Sequence, residues 1–231
     1  VRGRDLHFGG DRRGWCAELR CHRRWCALAL ALFAAGAVRV PTAAAQPRAP
    51  ADRYDDTFRK ASKRSFGPAF DWRLFKAQGM AESNLDPLAR SWVGARGLMQ
   101  LMPSTYREIT SENADLAMID SPERNIQAGI AYDRRLWLGW EKDSVADDRQ
   151  QFMLASYNAG RGTLLNAQRS ARQQQLDPRQ WRNIEQIAAS VPRWRHQETL
   201  DYVRKIEVNI TRLDDRGRLM KAGVTPRGMK R

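Results

Sequence analysis

The chain has 231 residues, of which 42% are hydrophobic, and its 40 Lys or Arg against 26 Asp or Glu give a net charge of +14. This length is sufficient for one domain with a hydrophobic core, and the hydrophobic content excludes a wholly disordered chain. The positive charge favours an anionic polymer as partner, either nucleic acid, an anionic membrane face or a cell wall with acidic peptides.

The first 45 residues have the pattern of a secretory signal peptide with an extended basic leader. The basic residues Arg20, Arg23 and Arg24 precede an apolar run over 25–38, and small residues supply a cleavage site after Ala45. The run is short for a membrane span, and retention as an N-terminal anchor is the alternative. We therefore expect an exported protein of the periplasm or cell envelope. All three cysteines lie within the leader, so no disulfide framework is expected.

A Pro/Ala linker over 46–53 leads into the predicted globular domain, residues 54–214. Helix signals dominate this domain and strand signals are nearly absent. The first helix is predicted over 54–65. Asp71 is placed to cap the second helix, which is predicted to end at 84–86 because the residue before a proline disfavours helical geometry.

Helix signals recur through the rest of the domain. Proline at position 103 and the Ser-Pro-Glu sequence at 121–123 are typical helix starts. Residues 91–97 contain two glycines and predict a loop or a small hairpin. Residues 215–231 predict a basic flexible tail. The further helices are predicted over 103–109, 122–139, 147–158, 162–174 and 199–213. We expect one core of five to seven helices.

Glu82 is the leading candidate for a catalytic residue. It falls in the last turn of an apolar helix, before a glycine-punctuated loop. An apolar, loop-covered cleft raises the pKa of a carboxyl group, which can then protonate a glycosidic oxygen at neutral pH. No Asp or Glu lies between Asp86 and Glu108, so hydrolysis by two carboxylates lacks a local second acid. Asp86 itself fits a turn-closing role before Pro87.

Five motifs occur in order along the domain: Glu82-Ser83; Ser91-x-x-Gly94-Ala95-x-Gly97-Leu98-Met99-Gln100-Leu101-Met102-Pro103-x-Thr105; Asn125-Ile126-x-x-Gly129-x-x-Tyr132; Ala155-Ser156-Tyr157-Asn158-Ala159-Gly160; and Glu198-Thr199-x-x-Tyr202-Val203. Together they resemble the soluble lytic transglycosylase (SLT) domain family over about residues 66–213. Within the family, the chain is most similar to the catalytic part of the membrane-bound lytic murein transglycosylase F subfamily, as the basic stretch 166–181 indicates.

The resemblance implies a mostly α fold of the α+β lysozyme-like type, a single helical domain with at most a small hairpin and a substrate groove across one face. It also implies cleavage of peptidoglycan between N-acetylmuramic acid and N-acetylglucosamine without water, leaving 1,6-anhydromuramoyl ends. Glu82 would first protonate the leaving oxygen as general acid. Its carboxylate would then take the proton from the C6 hydroxyl that attacks C1 of the same sugar.

The resemblance further suggests residues that contact substrate. Gln100 is expected to bind N-acetyl groups or the intermediate, and Ser91 a sugar. Other expected contacts have structural alternatives. Ser83 hydrogen-bonds Glu82 or the local backbone, or is only a turn residue at the helix C-terminus. Met99 lines the acetamido pocket or packs in the core, and Asn158 binds substrate or ends a helix. Tyr157 is expected to hydrogen-bond either Glu82 or a sugar hydroxyl. Glu198 is expected to line the groove or to orient another group, and Tyr202 to bind substrate.

We expect no cofactor and no metal, because His196 is the only histidine after the leader and the sequence contains no HExxH, P-loop or GxGxxG motif. The expected partner is the peptidoglycan glycan strand, bound by a monomer with peripheral association with a membrane or cell-wall machinery, and nucleic acid is not an expected partner. Two alternative functions stay open: a lysozyme-like hydrolase that uses water, and a noncatalytic peptidoglycan-binding protein.

Overall fold

The computed structural model describes residues 52–141, 145 and 147–220. The predicted leader 1–45, linker residues 46–51 and tail residues 221–231 lie outside the described residues. All described residues belong to one unit, 47–231. No helix within the described part of the chain is both long and apolar enough to cross a membrane.

The described residues form eight α-helices: α1 (Asp55–Phe66), α2 (Arg73–Ser83), α3 (Pro103–Glu112), α4 (Pro122–Glu141), α5 (Arg149–Ala159), α6 (Arg161–Gln173), α7 (Trp181–Ile187) and α8 (His196–Thr211). Short 3-10 turns follow α3 and α7. The β-structure in these ranges is limited to isolated bridges, two of which join Arg96 to Arg90 and to Leu101. The expectation of a mostly helical domain with at most a small hairpin is confirmed. The helix count exceeds the expected maximum because α7, only seven residues long, gives little periodic signal.

Helix α2 is the element that positions Glu82. The Asp71 carboxylate accepts the backbone N–H of Arg73 at 3.0 Å and so satisfies a donor of the first turn. All residues from 74 to 81 are buried, and α2 packs against α1 and α8. Asn84 adopts left-handed geometry and ends the helix. Glu82 therefore lies where a core helix reaches the surface.

The segment after α8 folds back onto α2. Leu213 and Leu219 form a bridge around a turn at Gly217, whose carbonyl accepts a hydrogen bond from the buried Lys76 ammonium at 2.7 Å. Gly217 has a φ of +81°, and a Cβ there would overlap the ring of Trp72. The predicted domain boundary at residue 214 falls within this turn. Contacts continue to residue 220, because the Met220 N–H donates to the Arg212 carbonyl at 2.9 Å.

Candidate functional site

Glu82 is a partly exposed residue, and among the described residues its carboxyl group has one direct hydrogen-bond donor, the Tyr202 hydroxyl, 2.6 Å from Oε1. The ammonium of Lys205 donates to the Ala81 carbonyl at 2.6 Å. Burial raises the pKa of Glu82 to about 7, although the hydroxyl of Tyr202 and the charge of Lys205 both lower it. The group can therefore hold or release a proton near neutrality.

Side chains from two helices hydrogen-bond the backbone of the loop that follows α2. Ser83 Oγ, in the last turn of α2, donates to the Leu98 carbonyl at 2.9 Å. Tyr157 Oη, near the end of α5, donates to the Met99 carbonyl at 2.8 Å. Among the roles expected for Ser83, the structure shows the hydrogen bond to the backbone. These contacts fix the loop beside Glu82.

Asn125 holds the same loop from α4. Its Oδ1 accepts the Met99 N–H at 2.9 Å, and its Nδ2 donates to the Arg96 carbonyl at 3.0 Å. Gly97 is required here, since its φ is +75° and a Cβ would lie 2.5 Å from Asn125 Nδ2. The Met99 side chain is fully buried, and a Cβ at Gly129 would meet it at 2.8 Å. Met99 therefore packs in the core rather than lining an open acetamido pocket.

Gln100 and Ser91 also support the loop. The Gln100 amide nitrogen donates to the Gly97 carbonyl at 2.9 Å and to the Ala89 carbonyl at 3.2 Å. Ser91 Oγ accepts the N–H of Ala95 at 2.9 Å. Both side chains are partly exposed, so contact with a substrate stays a prediction for each.

A chain of hydrogen bonds orients Asn158, which is exposed at the end of α5. The Trp194 indole N–H donates to Thr199 Oγ1 at 3.0 Å, and Thr199 Oγ1 donates to Asn158 Oδ1 at 2.9 Å. The side-chain oxygen of Asn158 is thereby directed towards Thr199 on α8. Its Nδ2 has no hydrogen-bond partner among the described residues, so two N–H donors are available to a ligand.

A cleft of about 220 Å³ adjoins this chain of hydrogen bonds. Glu198 on its rim is exposed and forms an ion pair with Arg195 at 2.8 Å. Because Thr199 and Tyr202 are one helical turn apart on α8, the cleft lies next to the Glu82 site along that helix. The cleft is lined by Asn158, Ala159, Thr163, Arg193, Trp194, Arg195, Glu198 and Thr199.

The sequence predicted Tyr157 on Glu82 or on a sugar hydroxyl, but in the structure Tyr202 is the tyrosine that contacts Glu82. Tyr157 reaches the loop backbone, whereas Tyr202 contacts Glu82 directly. The physical reason is the packing of α8 along α2, which no local pattern shows. Sequence reasoning also missed Thr199 and Lys205 as supporting residues, although both lie one turn from Tyr202 and so were accessible by helical spacing.

Asp86, the acid at the start of the loop, is not part of the site. Asp86 Oδ1 accepts the Leu88 N–H at 2.9 Å, which is a turn-closing contact. Across the described ranges, no group of three or more His, Cys, Asp or Glu is placed to hold a metal ion.

Fold and site define a helical, lysozyme-like domain with a titratable acid where its central helix reaches the surface. In the solved complex of the 70-kDa soluble lytic transglycosylase with bulgecin A, the similar region covers 74% of this chain and 26% of that one, with a TM-score of 0.51 and 23% identity. This likeness concerns the fold. The sequence model of the "Transglycosylase SLT domain" family matches residues 57–179, more than half of the chain. The chain therefore belongs to the SLT domain family.

Relatives within the family carry the name membrane-bound lytic murein transglycosylase F. The protein from Desulfosudis oleivorans is 35% identical over 138 residues, which cover 58% of this chain and 28% of that protein. The protein from Stutzerimonas stutzeri is 34% identical over 154 residues, which cover 66% of this chain and 30% of that protein. The chain thus spans less than a third of the length of these relatives. The similarity to proteins of this name that the sequence predicted is confirmed.

Proposed function

We propose that this protein is a peptidoglycan lytic transglycosylase. It cleaves the β-1,4 bond between N-acetylmuramic acid and N-acetylglucosamine without water and leaves 1,6-anhydromuramoyl ends. The observation that carries the proposal is Glu82, a partly exposed acid whose pKa burial raises to about 7. Membership of the SLT family and the names of the relatives support the substrate class.

Glu82 acts first as acid and then as base. Its proton goes to the glycosidic oxygen as the bond to C1 of the muramoyl sugar breaks. The resulting carboxylate takes the proton of the C6 hydroxyl, whose oxygen forms the new bond to C1. Because both forms of Glu82 are populated near neutral pH, one residue can serve both steps. The Tyr202 hydroxyl stabilises the carboxylate between the two steps.

The arrangement disfavours a lysozyme-like hydrolase with two acids. Asp133 interacts electrostatically with Glu82, but its side chain is completely buried and cannot activate a water molecule in an open cleft. Asp86 is engaged in its turn. A second accessible carboxylate beside Glu82 is what an inverting or retaining hydrolase would need.

Substrate binding is assigned to the cleft beside α8 and to the loop beside Glu82. The Asn158 amide donors suit an acetamido carbonyl or a carboxylate, and Arg193 and Arg195 supply positive charge at the same cleft. Gln100 and Ser91 contact the sugar from the loop. The leader pattern at 1–45 supports export to the periplasm or cell envelope, where this substrate is found.

The experiment compares the parent with Glu82→Gln on purified sacculi, with Glu112→Gln as matched control because Glu112 is exposed on α3. We expect Glu82→Gln to bind sacculi but to lose turnover by at least about a hundredfold, since it cannot transfer a proton. Mass spectrometry of the parent digest should show anhydro ends. Reducing ends instead would establish a hydrolase, and undiminished digestion by Glu82→Gln would reject the assigned mechanism.

A further inference from the structure

A second carboxyl group, Asp133, lies in the core behind Glu82. It is on α4 and is fully buried, and Gln78 on α2 is fully buried as well. The Gln78 amide nitrogen donates to Asp133 Oδ1 at 3.3 Å. Gln78 precedes Glu82 by four residues on the same helix, so the two side chains lie on one face, one turn apart.

Two oxygen atoms of this pair lack partners and complement each other. Asp133 Oδ2 and Gln78 Oε1 are both buried without a hydrogen bond. If Asp133 were a carboxylate, its Oδ2 and Gln78 Oε1 would both stay unsatisfied, because both atoms can only accept hydrogen bonds. As a carboxylic acid, its O–H is a donor that suits the Gln78 carbonyl, and the two groups form a two-point pair. Within the described residues, no Lys or Arg forms an ion pair with Asp133, which makes a buried charge there costly.

We propose that Asp133 is a positioning residue, a neutral carboxylic acid that pairs at two points with Gln78 and fixes the turn of α2 that carries Glu82. Through this pairing the site contains a second carboxyl group without a second charge. Glu82 is then the acid that exchanges its proton during the reaction, while Asp133 keeps its own. This inference rests on the proposed function of Glu82.

The surroundings of Asp133 agree with the neutral form. Burial raises the pKa of Asp133 well above its ordinary value, the Gln78 hydrogen bond lowers it, and the charge of Glu82 raises it further. The titratable groups that face it from the other packed helices are Tyr157 on α5 and Tyr202 on α8, whose own pKa values burial raises. Both tyrosines are therefore neutral near pH 7, and ionisation of Glu82 strengthens the hold of Asp133 on its proton.

The conservative replacement Asp133→Asn tests the pairing. An asparagine amide donates to Gln78 Oε1 and accepts from Gln78 Nε2, so it reproduces the two-point pair without a carboxyl group. We expect turnover on sacculi within about twofold of the parent, and the pH at which activity is half lost on the alkaline side within about 0.3 unit. A downward shift of about one unit would show that Asp133 is charged in the parent, and would overturn the proposal.

The apolar replacement Asp133→Leu tests positioning. It leaves the Gln78 amide unpaired, and we expect turnover to fall about tenfold or more because Glu82 loses its fixed geometry. If this variant does not fold, the double variant Gln78→Leu, Asp133→Leu takes its place, since replacing both partners by apolar groups is better tolerated. It should melt near the parent temperature with the same loss of turnover. Turnover equal to the parent in the folded variant rejects a positioning role.

A spectroscopic measurement separates the pairing from the proposed function. Infrared spectra of the folded parent at about pH 8 should contain the C=O band of a neutral carboxylic acid, because Asp133 keeps its proton where Glu82 is ionised. Asp133→Asn should abolish that band and Glu82→Gln should leave it. Absence of the band in the parent contradicts the neutral pair, whatever the reaction of the enzyme proves to be.

Discussion

Apart from Arg73 at its start, helix α2 carries two ionisable groups with opposite arrangements, Lys76 after its first turn and Glu82 in its last turn. Lys76 is fully buried, forms ion pairs with Asp55 at 2.5 Å and Asp52 at 3.1 Å, and donates to the Gly217 carbonyl at 2.7 Å. Glu82 has one hydrogen bond and no ion pair among the described residues. The first group joins the start of the domain, α2 and the turn after α8.

The difference shows what the number of partners does to a charge removed from water. Three oxygens around the Lys76 ammonium match its three donors and compensate its desolvation, so the charge is a structural element. One hydroxyl does not compensate the desolvation of Glu82, and its pKa rises to about 7. Incomplete pairing therefore makes Glu82 suitable for proton transfer. It also lowers the stability of the folded protein at pH values above the ordinary pKa of a glutamate.

Removing the Lys76 charge should have the largest effect on stability. Lys76→Met leaves the buried Asp55 carboxylate without its cation, and we expect a loss of about 3 to 5 kcal/mol in the free energy of unfolding. The melting temperature should fall by roughly 10 °C. Calorimetry checks this against Lys60→Met, which removes an exposed lysine of α1. Equal melting temperatures for the two variants would show that the paired charge of Lys76 does not stabilise the fold.

Glu82 has no ion pair among the described residues, and Glu82→Gln should therefore raise the stability of the protein where Lys76→Met lowers it. The ordinary pKa of a glutamate is 4.5 and that of folded Glu82 is about 7, so between these values the native state holds a proton that the unfolded chain has released. Stability contributed by Glu82 is therefore lost as pH rises through this window. Glu82→Gln should be more stable than the parent at about pH 8, by up to about 3 kcal/mol, and equal at about pH 4. Urea unfolding at both pH values measures the difference. A variant less stable at the higher pH would contradict the assignment.

Tyr202→Phe removes the one hydrogen-bond donor that Glu82 has among the described residues. The carboxylate loses stabilisation, so the pKa of Glu82 should rise and the alkaline limb of the activity profile should move up by about half to one pH unit. Tyr157→Phe is the matched control, because it releases the Met99 carbonyl rather than Glu82. The control should lose about 1 kcal/mol of stability, and the alkaline limb of its activity profile should stay at the same pH as in the parent. A downward shift for Tyr202→Phe would be incompatible with the donor geometry.

The smallest expected effect concerns the cleft. Thr199→Val removes the hydroxyl that turns the Asn158 carbonyl inward, and KM for solubilised glycan strands should rise about three- to tenfold with little change in kcat. Thr199→Ser keeps the hydroxyl and should retain the parent KM. Identical KM values for the valine and serine variants would show that the Asn158 orientation does not matter for binding.

Much of the framework could be predicted from local pattern. The start of α4 at Pro122 and the end of α2 after Ser83 follow from proline and capping rules that act over a few residues. Helix α7 escaped prediction because seven residues carry too little periodicity. Gln78 and Asp133 could have attracted attention as polar residues in otherwise apolar helix faces, but nothing local indicates that they meet.

By itself, the sequence determined the helical class, the order of the SLT motifs and the place of Glu82 in the last turn of a helix, because these depend on neighbours within a turn or two. Only the tertiary structure decided that Tyr202, 120 residues away, is the donor to Glu82, that Lys76 is surrounded by oxygens and that Asp133 faces Gln78. The physical reason is that desolvation and hydrogen bonding at a buried group depend on all helices packed around it, and the resulting pKa follows from that assembly.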